Sequence, residues 1–259
     1  MKHIIFCNCR GERISQDKLK IIESHLTGLT FRITMLIDLC GLAGMKDDSL
    51  VGVFDNQEQK LVIGCYPRAM KLLLHPAGVK NSDLPGSRFI NLLETEASAA
   101  IEQINEFCGG QVSASSFREI REDSGWPSWF PVIDYSRCTT CGQCADFCLF
   151  GVYDKTDERV SVVNPKACKN NCPACARICP ATAVIFPKYK FGGAIGGSGE
   201  IDEIAEHERQ VQDIESILGN DIYSALQARK VKRESIIRQE ALNKAISERD
   251  NALKESDRK

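Results

Sequence analysis

The sequence predicts an α/β domain built on a parallel sheet, then a small α+β module, then a helical C-terminal extension. Three observations carry this prediction. Strand and helix patterns alternate through residues 3–110, a cysteine-bearing segment repeats between 132 and 179, and a polar helical pattern follows a glycine-rich stretch at 191–199. The implied organisation is a cysteine-containing α/β domain at 1–112, a connector at 113–130, the repeat module at 131–190, a linker at 191–199 and a helical tail at 200–259.

Each element has its own signal. His3–Phe6 is a short apolar run and predicts a buried strand. Leu19, Ile22 and Leu26 fall at helical spacing within 16–26, and Phe31–Leu39 is rich in strand formers. Leu61–Gly64 predicts a third strand, and Pro67 opens a helix through Leu74. Phe89–Leu93 predicts a fourth strand before a helix from Glu96 to Phe107. This alternation is the signature of parallel strands joined by crossover helices. Gly109-Gly110 and Ser113–Ser116 mark the expected boundary, and Trp126–Pro131 is a bulky, irregular approach to the cysteines. Within the module, Val132, Ile133 and Cys138 recur as Val162, Val163 and Cys168, thirty residues on. Cys141, Cys144 and Cys148 recur as Cys172, Cys175 and Cys179, thirty-one residues on. Two similar halves related by a pseudo-twofold axis are expected.

Composition narrows the classes of function. The net charge is −2, so no strong electrostatic footprint for nucleic acid is present. The apolar run from Met1 to Phe6 stops at Cys7, too short for a signal-peptide core, and nothing approaches the roughly 18 apolar residues of a membrane span. A cytoplasmic protein is expected. In a reducing compartment, thirteen cysteines point to metal binding or redox chemistry rather than disulfides. Eight of them lie between 138 and 179, four more are Cys7, Cys9, Cys40 and Cys65, and Cys108 stands apart at a helix end as a structural residue.

Cys138-x2-Cys141-x2-Cys144-x3-Cys148 places four thiols in eleven residues, and Cys168, Cys172, Cys175 and Cys179 form a second run with Pro180 after it. A zinc site takes four ligands, commonly as two separated pairs, so two dense runs of four favour iron–sulfur cubanes. Residues 131–187 resemble the bacterial two-cluster ferredoxins. The resemblance implies two [4Fe–4S] clusters with exchanged fourth ligands: Cys138, Cys141, Cys144 and Cys179 for cluster I, and Cys168, Cys172, Cys175 and Cys148 for cluster II. The sequence departs from that pattern twice. Leu149 replaces the usual proline after Cys148, and Cys168-x3-Cys172 carries an extra residue, Asn170 or Asn171, expected to bulge the loop. Phe147, Phe150, Val152, Ile178, Val184 and Ile185 are candidates for an apolar shell.

In the N-terminal domain, Cys7 and Cys9 follow the first predicted strand, Cys40 ends the second and Cys65 ends the third. Carboxyl ends of neighbouring parallel strands converge on one edge, where ligands bind. Cys7-Asn8-Cys9, Cys40-Gly41-Leu42-Ala43-Gly44 and Cys65-Tyr66-Pro67-Arg68 resemble the N-terminal domain of the flavin-binding subunit of heterodisulfide reductase, over roughly residues 1–75. That family's glycine-rich flavin-binding domain is missing from this sequence. Four converging thiols match the ligand number of a third [4Fe–4S] cluster. Buried core thiols and a Cys7/Cys9 dithiol switch are the competing readings. Arg68 is a candidate donor to a cluster sulfur.

The functional expectation is an iron–sulfur subunit relaying single electrons within a larger oxidoreductase. The alternative is a small disulfide- or substrate-reducing enzyme working at the N-terminal cluster or dithiol. No nucleotide fingerprint, nucleophile elbow or histidine-rich site appears, so no catalytic residue is assigned and a catalytic or redox partner subunit is implied. The tail at 200–259, with the apolar positions Leu242, Ile246 and Leu253, is either a solvated helix or the arm that grips the partner.

Overall fold

The computed structural model describes residues 2–9, 11–54, 58–79, 86–110 and 116–218. Its N-terminal part alternates β1 (Lys2–Asn8), α1 (Gln16–Thr27), β2 (Arg32–Ile37), α2 (Leu39–Gly44), α3 (Ser49–Phe54), β3 (Gln59–Gly64), α4 (Pro67–Leu74), β4 (Arg88–Asn91), α5 (Ala97–Cys108) and β5 (Ser116–Arg121). The strands form one fully parallel sheet in the order β4-β3-β1-β2-β5. β1 is buried from His3 through Cys7, as a central strand covered on both faces must be.

The strand order explains the helix layers. A right-handed crossover places its helix on a face set by the direction of travel across the sheet. The chain moves one way from β1 to β2 and back the other way from β2 to β3 and β4. It then returns from β4 to β5. Accordingly α1 and α5 pack together with Ile4, Phe6, Ile33 and Ile63 on one face. α2, α3 and α4 pack on the other with Ile5, Leu36 and Val62. Local chemistry fixes the ends: the Ser15 hydroxyl accepts from the Lys18 N–H at 3.2 Å, Pro67 begins α4, and Gly109 closes α5 at φ +60°.

Three sequence expectations shift. The second strand stops at Ile37 rather than Leu39, because Asp38 turns to φ +68° and starts α2, which carries Cys40. β5 lies within the segment expected to be a connector. Its sequence Ser-Phe-Arg-Glu-Ile-Arg buries only Ile120, so it reads as solvated chain until it pairs with β2 at the sheet edge. The glycine-rich 191–199 is packed rather than free: the Phe186 N–H donates to the Ile195 carbonyl at 2.7 Å, and Ala194 and Ile195 are buried.

The repeat module contains β6 (Val132–Ile133), α6 (Gln143–Phe147), β7 (Tyr153–Lys155), β8 (Val160–Val162), a 3-10 turn (Pro165–Ala167), α7 (Ala174–Arg177) and β9 (Val184–Ile185). β6 pairs antiparallel with β9, and β7 with β8, so each ribbon joins one strand from each half of the repeat. Trp129 stacks on Phe186 at 4.9 Å over this module's core. α8 (Glu203–Leu218) follows, and the Gln210 amide donates to the Cys179 carbonyl at 2.8 Å. Gly219-Asn220, Arg229–Arg233, Leu242, Ile246 and Leu253 lie outside the described residues. Among the described residues, no helix is long and apolar enough to cross a membrane.

His3 makes the sheet sensitive to acid. It is fully buried, with Nε2 2.8 Å from the Thr34 hydroxyl, and burial together with the Arg32 charge pushes its pKa down to about 4. The folded value lies below the unfolded one, so its contribution is complete above about pH 6.5 and is lost as pH falls towards 4. Between those values the folded state should lose about 1.4 kcal/mol per pH unit at this site. Urea unfolding at pH 7 and 5.5 should show a smaller pH slope for His3→Gln than for the wild type; equal slopes would assign the sensitivity elsewhere.

Candidate metal centres

β3, β1 and β2 are neighbours, so their carboxyl ends bring the four N-terminal cysteines together. Cys7 lies on β1, Cys9 just beyond it, Cys40 in the first turn of α2, and Cys65 between β3 and Pro67. All four thiols line one pocket, together with Arg13 and Lys188. The Gly11 N–H donates to the Cys9 sulfur at 3.1 Å. Burial, and then the neighbouring Cys9 and Cys65, push the Cys7 thiol well up. Burial and Cys9 raise Cys65 to about 12. Cys40 is raised well up by burial, then by Asp38, with smaller contributions from Cys9 and Cys65. Burial this deep keeps the thiols neutral; a bound metal supplies the charge that deprotonates them. Every cysteine is a free thiol, Cys7 and Cys9 included.

The glycine that closes the Cys40 segment has a packing reason. A Cβ on Gly44 would stand 2.7 Å from the Trp126 ring and 2.9 Å from Phe130, which stack on each other at 5.4 Å. The bulky approach segment of the sequence thus closes over α2.

Among the eight remaining ligand candidates, thiols of the two runs are neighbours. Cys144 is raised to about 11 by burial, then by Cys179, Cys138 and Cys141. Cys168 is raised to about 12 by burial, then by Cys172 and Cys148. Burial also raises Cys175, reinforced by Cys168, Cys144 and Cys148 and opposed by the nearby Tyr153 hydroxyl. Cys179 of the second run thus neighbours thiols of the first, and Cys148 of the first neighbours thiols of the second. The Ala183 N–H donates to the Cys179 sulfur at 3.3 Å. Thr140 and Asn171, each directly before the second cysteine of its run, both have positive φ (56° and 59°). The two loops therefore turn alike, and the extra residue of the second run is absorbed ahead of Asn171. Among the described residues, no three His, Cys, Asp or Glu side chains meet as ligands of a single ion. A cubane asks for something different, one thiolate at each of four separate irons.

Val184 is buried in the module's core and Val152 is buried, Ile185 is buried instead in the core of the sheet face that carries α2, α3 and α4, and Phe147 and Ile178 are partly buried. Phe150 is not part of that shell: it is 41% exposed, beside Leu149 at 71%. The shell instead recruits Trp129, Ala176, Phe186 and Ile195. Cys108 is buried at the end of α5 among Ile104 and Phe107, in the core of the opposite face.

Arg68 serves a purpose other than the expected one. Its guanidinium donates to Asp134 at 2.9 Å, to the Thr182 carbonyl at 3.3 Å and to the Ser198 carbonyl at 3.3 Å. It joins α4 to the repeat module and makes no hydrogen bond to a sulfur. Arg13, Asp38, Tyr153 and Lys188 are the polar residues at the thiol sites that sequence reasoning missed. None stands at a motif position, and Lys188 is 150 residues from its partner Asp38.

Comparison with known proteins bears on the first run. A 4Fe–4S binding domain matches residues 131–151. An uncharacterised ferredoxin of Methanocaldococcus jannaschii is 49% identical over 45 residues, which is 17% of this chain and 31% of that protein. The chain therefore matches about a third of the relative's length. No solved structure matches the chain.

The Arg68 assignment has a direct check. Arg68→Met leaves the buried Asp134 carboxylate without its cation and should cost about 3–5 kcal/mol in chemical unfolding, the usual penalty for stranding one buried charge. A loss below about 1 kcal/mol would show that the pair is solvated. Residues 131–151 match a 4Fe–4S binding domain, and that match supports an iron–sulfur protein.

Proposed function

We propose that this chain is an iron–sulfur electron-transfer subunit that relays single electrons within a larger oxidoreductase. Two [4Fe–4S] clusters sit in the repeat module and a third in the N-terminal domain. The observation that supports this reading is that Cys7, Cys9, Cys40 and Cys65 line one pocket, while the repeat module carries two runs of four cysteines. Cys138, Cys141, Cys144 and Cys179 would hold cluster I, and Cys168, Cys172, Cys175 and Cys148 cluster II. Cys7, Cys9, Cys40 and Cys65 would hold the third. When bound, such a cubane takes up and releases one electron at a time.

The protein's own part is to supply thiolates, turn N–H groups towards sulfur and keep water away. The N–H groups of Gly11 and Ala183 do the second, and Trp129, Val152 and Phe186 the third. The N-terminal pocket also passes a test of fit. Arg13 Nη1 is a buried donor without a hydrogen-bond partner at its wall, as suits an anionic occupant. The strand-end placement of Cys7, Cys9, Cys40 and Cys65 supports the likeness to the N-terminal domain of the flavin-binding heterodisulfide reductase subunit. β5 extends that domain to Arg121. A partner protein gripped by the C-terminal tail, in the cytoplasm, completes the proposal.

Anaerobically purified protein should contain about twelve iron and twelve acid-labile sulfide per chain, the sum of three cubanes. Cys40→Ser should lower both to about eight. Wild-type values near eight, unchanged by the substitution, would confine the clusters to the repeat module. Zinc in place of iron would overturn the proposal. Truncation after Leu218 keeps Gln210 on Cys179 and should abolish co-purification of the partner without loss of iron; retained co-purification would exclude residues 219–259 as the docking arm.

A further inference from the structure

The N-terminal thiol pocket is not built by the sheet domain alone. Lys188, which follows the module's last strand in the chain order Ile185-Phe186-Pro187-Lys188, enters its wall. Its side chain is 11% exposed. All three ammonium protons are committed: Nζ lies 2.6 Å from Asp38 Oδ2, 2.5 Å from the Ser128 hydroxyl and 3.0 Å from the Pro127 carbonyl. The Ser128 hydroxyl itself donates to Asp38. Asp38 and Ser128 are both buried, and both hold positive φ (68° and 47°), a conformation that costs a residue with a Cβ. Two strained residues thus converge on one ammonium group.

A second cation stands at the same wall. Arg13 stacks over Tyr66, 4.7 Å from its ring centre, and its Nη1 lacks a partner. The loop that delivers Lys188 also makes room for it. Gly192 has φ +68°, and a Cβ there would lie 2.7 Å from Arg13 Nη2. Two cations against one carboxylate leave a net positive wall around four thiols.

We propose that Lys188 and Arg13 set the reduction potential of the N-terminal centre, with Asp38 tempering the Lys188 charge, so that the module's own chain tunes a redox group held by the sheet domain. The inference rests on the three-cluster reading. A cubane ligated by four thiolates is anionic and gains one more negative charge on reduction. A buried cation therefore favours the reduced form, and a buried carboxylate the oxidised form. Lys188 acts by charge, since its donors are all engaged. Arg13 adds a free N–H at the pocket wall.

The experiment is a redox titration of the full chain followed by electron paramagnetic resonance, together with iron counts. The N-terminal signal is identified as the one lost in Cys40→Ser. Lys188→Met should shift that signal to a more negative potential, and Asp38→Asn, which keeps a residue tolerant of the left-handed conformation, to a less negative one. Lys188→Arg should stay near the wild-type value. The two module signals serve as internal controls and should not move. Opposite shifts are the signature a purely structural tie would not produce. About twelve iron with an unmoved signal, or with both variants shifting the same way, overturns this inference and leaves the third cluster standing. About eight iron in the wild type removes the third cluster and this inference with it. If Lys188→Met fails to load iron, Asp38→Asn and Lys188→Arg decide by the same signs.

Discussion

The parallel pairing of β1 with both β2 and β3 is the constraint on which the N-terminal half depends. Because β1 lies between its two neighbours, the chain must reverse its direction across the sheet. That reversal puts helices on both faces and leaves a crevice at the carboxyl ends of three adjacent strands. Cys7, Cys9, Cys40 and Cys65 occupy that crevice. A different strand order with the same strands would have scattered them along the edge.

The second constraint is electrostatic. The sheet domain and the repeat module meet through charges that are almost wholly removed from water, Arg68 with Asp134 and Lys188 with Asp38. Such pairs add little net stability compared with apolar packing, but breaking one is costly because the other charge is stranded. They therefore fix the arrangement of the two parts more than they strengthen it. The same logic governs the N-terminal thiols: burial opposes their ionisation, so their pocket is suited to a metal group that brings compensating charge.

The helices at Gln16 to Leu26, Pro67 to Leu74 and Glu96 to Phe107 are legible in the sequence. Their apolar positions repeat at helical spacing, and caps, proline or glycine mark their ends. The end of β2 is not legible, because the apolar run continues through Asp38 into α2 and composition alone cannot see a left-handed residue. β5 escapes notice because an edge strand with one buried side chain leaves no periodic trace. Arg68 looks like a motif residue beside Cys65; only the fold shows that Asp134, 66 positions away, claims it.

By itself, the sequence determined the cysteine runs, their repeat, the α/β alternation and hence the chemistry of thiol ligation, because ligand spacing and helical periodicity are local properties of the chain. Tertiary structure alone decided the rest. It put Cys179 beside Cys144 and Cys148 beside Cys168, completed the sheet with β5, and surrounded the N-terminal pocket with Lys188, Asp38, Ser128 and Arg13. These are contacts between residues that are mostly tens to more than a hundred positions apart. Their partners are chosen by strand order and burial, and neither is written in any short stretch of sequence.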